Sequence, residues 1–230
     1  MADRRAAAPH GAAGRRARRP ASGLALLGAI VAVMWLLEAV NSLDHRALDA
    51  DGAIYPRDTG RLWAILTSPF LHVSFQHLID NTIPLLFMGV IVALRGAARL
   101  AAVTLIVIVV AGLGTWLIAP AHTATVGASG LVFGYATYLL VRGVFDRSAL
   151  EVVVGALVGA VWGAALLASI VPHTGVSWQD HVSGALGGVL AAWALAGRDR
   201  RRRRVAAGGG SQDGIPDAHR PLHEALDRVL

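Results

Sequence analysis

A serine, a histidine and an asparagine lie near the starts of three different apolar segments of this chain. Ser129 lies in the stretch GASGLVFG, His181 in HVSGALGG and Asn81 in HLIDN. A serine hydroxyl within hydrogen-bond reach of a histidine is the nucleophile and general-base pair of acyl transfer, and a fixed amide donor can stabilise the resulting oxyanion. This chemistry requires that the segments bring the three side chains together.

The composition indicates an integral membrane protein. The 230 residues are 55% hydrophobic, and the mean hydropathy is +0.55. The formal charge of +6 is concentrated at the two ends and beside apolar runs, which favours contact with anionic membrane lipid over nucleic-acid binding. The absence of cysteine excludes a thiolate metal site and a cysteine nucleophile. Without a His-Glu-x-x-His motif either, we expect no metal and no cofactor.

Apolar runs predict an all-α membrane protein with six transmembrane helices. Most of the runs approach the roughly 20 residues that cross a bilayer as a helix. The predicted helices are Ala21 to Val40, Leu78 to Leu94, Leu100 to Ile118, Ser129 to Val141, Leu150 to Val171 and His181 to Ala196.

The arginines predict that both termini are cytoplasmic. Arginines are frequent in the segments that would then be inside, and the loops APAHTATVG and PHTGVSWQD contain none. Three regions follow from this assignment. Residues 1–20 are predicted to form a basic disordered cytoplasmic tail, residues 21–196 the six-helix core, and residues 197–230 a basic, Gly-rich cytoplasmic tail.

Counting from the arginines of the inner interface places the three polar side chains at similar depths. Ser129 and Asn81 each fall roughly 10 Å below the outer surface, and His181 roughly 5 Å below it. The fourth helix is therefore too short to span, and the segment before Ser129 is predicted to enter the membrane as irregular backbone beside a cavity open to water. Polar groups at such depths are usually functional.

Small residues predict which helix faces meet. Gly127, Gly130 and Gly134 form one stripe at helical spacing, and Gly184 and Gly188 form another in line with His181. Small-residue faces let helices approach closely. Packing of these two faces would bring His181 towards Ser129.

Three motifs together resemble the rhomboid family of intramembrane serine proteases. They are HVSFQHLIDN, GASG and HVSGALGG, and they occur in the family's order at the starts of matching helices. The resemblance covers about residues 21–196 and implies that Ser129 is the nucleophile and His181 its base. It also implies that His77 and Asn81 stabilise the oxyanion and that Phe133 lies beneath the histidine ring.

The first outer loop departs from the family pattern. Many rhomboids have Trp-Arg where this chain has Trp63-Ala64, and Arg61 is the nearby candidate to replace the missing arginine. His72 is predicted to hold this loop by hydrogen bonds, and His45, His122 and His173 to be ordinary loop residues. Asp180 precedes His181, but neighbouring helical residues point about 100° apart, so we expect it to be an interfacial or loop-facing acid.

Two functions remain open from the sequence. The first is an intramembrane serine endopeptidase of the plasma membrane that cleaves single-span membrane proteins near the outer surface. The second is a non-proteolytic rhomboid-like protein that binds or guides membrane clients. The presence of both Ser129 and His181 favours the protease. A small transporter fits poorly, because the chain shows no repeat symmetry.

Overall fold

The computed structural model describes residues 10–172 and 175–208, and this part of the chain is helical throughout its core. Short 3-10 turns lie at Thr59–Arg61 and Ser68–Phe70. The α-helices are α1 (His10–Leu43), α2 (Ala47–Gly52), α3 (Ala64–Thr67), α4 (Phe75–Ala93), α5 (Ala97–Ile118), α6 (Ser129–Asp146), α7 (Ala149–Ile170) and α8 (Trp178–Gly208).

Each of the six apolar segments predicted to be helical is a helix in the structure, and α6 begins at Ser129 as predicted. The domain boundaries predicted after residues 20 and 196 both fall inside long helices, α1 and α8. The remaining parts of the two predicted tails, residues 1–9 and 209–230, lie outside the described residues.

Within the described residues, four helices are long and apolar enough to cross a bilayer. They are Pro20–Leu43 of α1, α4, α5 and α7. The exposed surface of α7 carries large aliphatic side chains such as Leu157, Val161 and Leu167, each more than 60% exposed, which suits contact with lipid tails. The chain is therefore a multi-pass integral membrane protein.

Helix α6 lies at the centre of the bundle. Most of its residues are buried, and it contacts α4, α5, α7 and α8. Tyr135, Tyr138 and Leu139 of α6 are each about 1% exposed and belong to the main hydrophobic core. Packing against four neighbouring helices fixes the position of α6 and of its first residue.

The glycine faces predicted on the fourth and sixth helices meet in the contact between α6 and α8. A Cβ atom added at Gly184 would lie 2.8 Å from the Cα atom of Gly130, and one added at Gly188 would overlap the carbonyl oxygen of Gly134. The two backbones touch directly at both levels. Only glycine permits this approach, which sets how near the starts of α6 and α8 come to each other.

Arginines attach the loop between α1 and α4, residues 44–74, to the helices; the sequence predicts this segment to be the first outer loop. Arg46 donates to both the Glu38 carboxylate, at 3.0 Å, and the His72 carbonyl oxygen, at 2.9 Å. Arg57 donates to the carbonyl oxygens of Leu117 and Ala119 at the end of α5. Arg61, the predicted replacement for the missing family arginine, donates to the Ala50 carbonyl oxygen within the loop at 3.0 Å.

Arg142, one of the arginines from which the depths were counted, is buried at the opposite end of α6. Its side chain is 2% exposed and forms ion pairs with Asp146 and Glu151. Glu151 also pairs with Arg95. A buried cation is stable only when anions and hydrogen bonds compensate it, and these pairs join α6 to α7 and to the turn between α4 and α5.

We predict that Gly188→Ala destabilises the fold by roughly 1–3 kcal/mol, because the added methyl group must displace backbone. Gly163→Ala is the matched control, since a Cβ atom there meets nothing within 4 Å and alanine favours the helix. Thermal unfolding in detergent micelles measures both. Equal midpoints for the two variants would contradict direct backbone contact between α6 and α8.

Candidate active site

The site is built around the first turn of α6. Ser129 is half-buried at the start of the helix, and the preceding residue, Ala128, supplies no side-chain cap. Gly127 has a φ of +127°, a conformation that residues with a Cβ atom rarely adopt. The backbone therefore turns sharply into α6, and the segment from Ala119 to Ala128 is non-helical as predicted.

His181 lies beside this turn, in the first turn of α8. Its ring stacks on Phe133 with centroids 4.4 Å apart and ring planes 13° apart, and Phe133 lies one helical turn after Ser129. The sequence resemblance predicts this placement of Phe133. The His181 Nδ1 atom lies 2.8 Å from the Ser169 carbonyl oxygen. Because a carbonyl only accepts, Nδ1 carries the hydrogen there and Nε2 is the basic nitrogen.

Asp180 also reaches this turn, and the prediction that it is an interfacial or loop-facing acid is wrong. It is 6% exposed, and its Oδ2 atom accepts a hydrogen bond from the Ser129 hydroxyl at 3.3 Å. Asp180 and His181 both contact α6, Asp180 at Ser129 and His181 at Phe133. Gly130 is the residue of the sequence that could have indicated this contact. A Cβ atom there would lie 2.6 Å from Asp180 Oδ2, so only glycine leaves room for the carboxyl group.

His77 and Asn81 of α4 lie on the other side of the turn. A Cβ atom at Gly127 would lie 2.7 Å from His77 Cε1 and 3.7 Å from Asn81 Nδ2. Among the described residues, Asn81 Nδ2 is one of the buried side-chain nitrogens that have no hydrogen-bond partner. An amide donor at this place is available to an oxygen atom bound near Ser129.

The first outer loop holds the backbone just before Ser129. The Gly127 N–H donates to the Ser68 carbonyl oxygen at 2.9 Å, and the Ala128 N–H donates to His72 Nε2 at 3.3 Å. Burial, assisted by the nearby His77, lowers the pKa of His72 from 6.5 to about 3, so its ring is neutral and can accept this bond. His72 thus has a structural contact, as predicted, and it supports the turn before Ser129 directly.

A small cavity lies next to the turn, lined in part by Ser68, Gly127, Gly130 and Asp180. Within residues 10–172 and 175–208, no group of three or more His, Cys, Asp or Glu side chains is placed to bind a metal ion. His45 and His122 lie in turns and have positive φ. His173 lies outside the described residues.

Comparison with known proteins decides the family. The profile of the Rhomboid domain matches residues 59–198, more than half of the chain. The chain belongs to the rhomboid family. The matched region of this rhomboid runs from the first outer loop to α8 and includes every residue predicted for the site.

Relatives of this rhomboid occur in several bacteria. An uncharacterized protein of Mycobacterium tuberculosis is 38% identical, with 85% of this chain and 84% of the relative covered. An uncharacterized protein of Mycobacterium leprae is 38% identical, with 85% and 80% covered. A Bacillus subtilis protein named "Putative rhomboid protease YdcA" is 25% identical, with 76% and 88% covered.

We predict that His72 makes the folded rhomboid sensitive to acid. Below its ordinary pKa of 6.5 the unfolded histidine takes up a proton, whereas the folded one stays neutral until about pH 3. Stability therefore falls as the pH drops through this window, by about 1 kcal/mol per pH unit from this residue.

Unfolding midpoints in detergent at pH 7.5 and 4.5 test this prediction. His72→Gln keeps an acceptor for the Ala128 N–H and cannot take up the proton, so its midpoint should fall less than that of the wild type. An equal loss of stability in both proteins would assign the acid sensitivity to other groups.

Proposed function

We propose that this rhomboid is an intramembrane serine endopeptidase with Ser129 as nucleophile and His181 as general base. The observation that carries the proposal is the convergence of α6 and α8. It stacks His181 on Phe133, one turn from Ser129, with Nδ1 directed at the Ser169 carbonyl oxygen. With the hydrogen on Nδ1, Nε2 is the basic nitrogen of the ring, as a general base requires.

Catalysis would follow the course of acyl transfer. Ser129 Oγ attacks the carbonyl carbon of the scissile peptide bond while His181 Nε2 takes the hydroxyl proton. The imidazolium then protonates the leaving amine, the C–N bond breaks, and an acyl-enzyme ester remains on Ser129. Water, deprotonated by His181, attacks the ester, releases the carboxyl product and restores the serine hydroxyl.

Hydrogen-bond donors close to the nucleophile are suited to form an oxyanion hole. The Asn81 amide nitrogen and the His77 ring lie against Gly127, two residues before Ser129. A positioned donor in a site shielded from water stabilises the tetrahedral intermediate by roughly 3–4 kcal/mol. The buried, unpartnered Asn81 Nδ2 suits this role, with the backbone N–H of Ser129 as a further donor.

The membrane topology is part of the proposal. We place six transmembrane helices in the plasma membrane, with both termini cytoplasmic and the site near the outer surface. Substrates would be single-span membrane proteins with helix-destabilising residues near that surface, because an extended backbone must reach Ser129. Membrane lipid surrounds the bundle, and no nucleic acid, metal or cofactor takes part. The retention of Ser129 and His181 favours this function over a non-proteolytic role in guiding clients.

We predict that Ser129→Ala and His181→Ala each abolish cleavage of a single-span reporter coexpressed with the protein. Each variant removes a group that makes or breaks a bond, and losses of such groups are at least about 1000-fold. Ser42→Ala is the matched control, since Ser42 is exposed and bonds only to its own helix at the Ala39 carbonyl oxygen. Reporter cleavage that persists in Ser129→Ala would exclude the serine-protease mechanism.

We predict a smaller loss for Asn81→Ala, roughly 100-fold in kcat with little change in KM, because an oxyanion donor acts mainly in the transition state. Gln76→Ala is the control on the same helix, where the exposed Gln76 amide bonds to Asp80. Kinetics of the purified protein in micelles measure both. A near-normal rate for Asn81→Ala would remove Asn81 from the oxyanion hole and leave Ser129 and His181 in their roles.

A further inference from the structure

We propose that Asp180 is a positioning residue that holds the Ser129 hydroxyl in an unreactive orientation while no substrate is bound. The proposal rests on the proposed function, since it assigns a resting state to the nucleophile. It adds a third side chain to the pair formed by Ser129 and His181, and it gives that side chain a restraining effect on the serine.

Two hydroxyl groups and the start of α6 lie against the Asp180 carboxyl group. Ser129 Oγ lies 3.3 Å from Oδ2, and Thr115 Oγ1 of α5 lies 3.3 Å from Oδ1. A Cβ atom added at Gly130 would lie 2.6 Å from Oδ2. Burial disfavours the charged form of a carboxyl group, and the two hydrogen-bond donors offset part of that cost. Asp180 is therefore built to accept hydrogen bonds at the start of α6.

The contact with Ser129 conflicts with catalysis. A hydroxyl group has a single hydrogen to donate, and here it points to Asp180 Oδ2. General-base catalysis requires the same hydrogen to point at His181 Nε2. The Ser129 side chain or its O–H bond must rotate before it can react, and the hydrogen bond to Asp180 must first be broken.

The charge of Asp180 adds to this restraint. A hydrogen bond to a charged acceptor contributes more than one to a neutral acceptor, so releasing the serine from a carboxylate is the harder step. A carboxylate beside Ser129 also repels the negative charge that develops on the substrate oxygen during attack. Both effects raise the barrier to acylation, and neither requires a change in how substrate binds.

Asp180→Asn isolates the charge with little change in shape. The asparagine oxygen can still accept from Ser129, and its NH2 group can donate to the Thr115 hydroxyl. The readout is acylation of purified protein in micelles by a fluorophosphonate probe, with the maximal inactivation rate separated from the probe's apparent affinity. We expect a rate about five-fold higher in Asp180→Asn with unchanged affinity, a split that a general loss of packing does not produce.

Asp146→Asn is the matched control at the other end of α6. Asp146 is also a buried carboxylate and pairs with Arg142, so its variant reports what loss of a buried charge does to stability alone. Its inactivation rate should equal that of the wild type whether or not its unfolding midpoint falls. An acceleration of the same size in Asp146→Asn would overturn the proposal.

Thr115→Val supplies a second test that keeps the Asp180 carboxyl group. Without the Thr115 hydroxyl, Asp180 has one donor fewer and holds Ser129 more firmly, so we expect a rate about two-fold lower. If Asp180→Asn does not fold, Thr115→Val alone tests whether Asp180 restrains Ser129. An equal or higher rate in folded Thr115→Val would count against the restraint.

The outcomes separate the two proposals. If Ser129→Ala is labelled as fast as the wild type, or the wild type is not labelled, the proposed function fails and the role of Asp180 falls with it. If labelling depends on Ser129 but Asp180→Asn reacts at the wild-type rate or more slowly, the protease assignment stands and the restraint is refuted. A slower Asp180→Asn would instead make Asp180 an aid to His181.

Discussion

Direct backbone contact between α6 and α8 is the constraint on which the rest of the structure depends. The contact exists because glycines face each other at two successive levels, Gly130 against Gly184 and Gly134 against Gly188. In a lipid environment the hydrophobic effect does little to hold helices together, and close van der Waals packing takes its place. The same contact determines the distance between Ser129 and the first turn of α8.

The turn before Ser129 is fixed from a second direction by the first outer loop. Ser68 and His72 accept the two backbone N–H groups that precede the serine, and Arg46 connects His72 to the buried Glu38 of α1. Irregular backbone beside apolar helices is stable only when its polar groups are paired. The loop therefore supports the site as well as covering it.

Two neighbouring residues of α8 contact the same turn of α6. His181 lies over Phe133, and Asp180 lies against Ser129 and Gly130. A buried carboxyl group in a membrane protein is costly unless donors surround it, and the start of a helix offers such donors. Because the proposed base, His181, and the acceptor, Asp180, are neighbours, a small rotation of the Ser129 hydroxyl changes which of them it bonds.

The sequence by itself predicted the helices, because hydrophobic length and small-residue spacing are local properties. Its three motifs resembled those of the rhomboid family and named Ser129, His181, His77 and Asn81 as candidates for the site. It also indicated that Ser129 begins a helix. Only the tertiary structure decided where Asp180 points, that Arg142 is buried among carboxylates, and that His72 supports the turn before Ser129. Those outcomes depend on which residues of other elements pack against each side chain. The angle between neighbouring residues of a single helix carries no information about these partners.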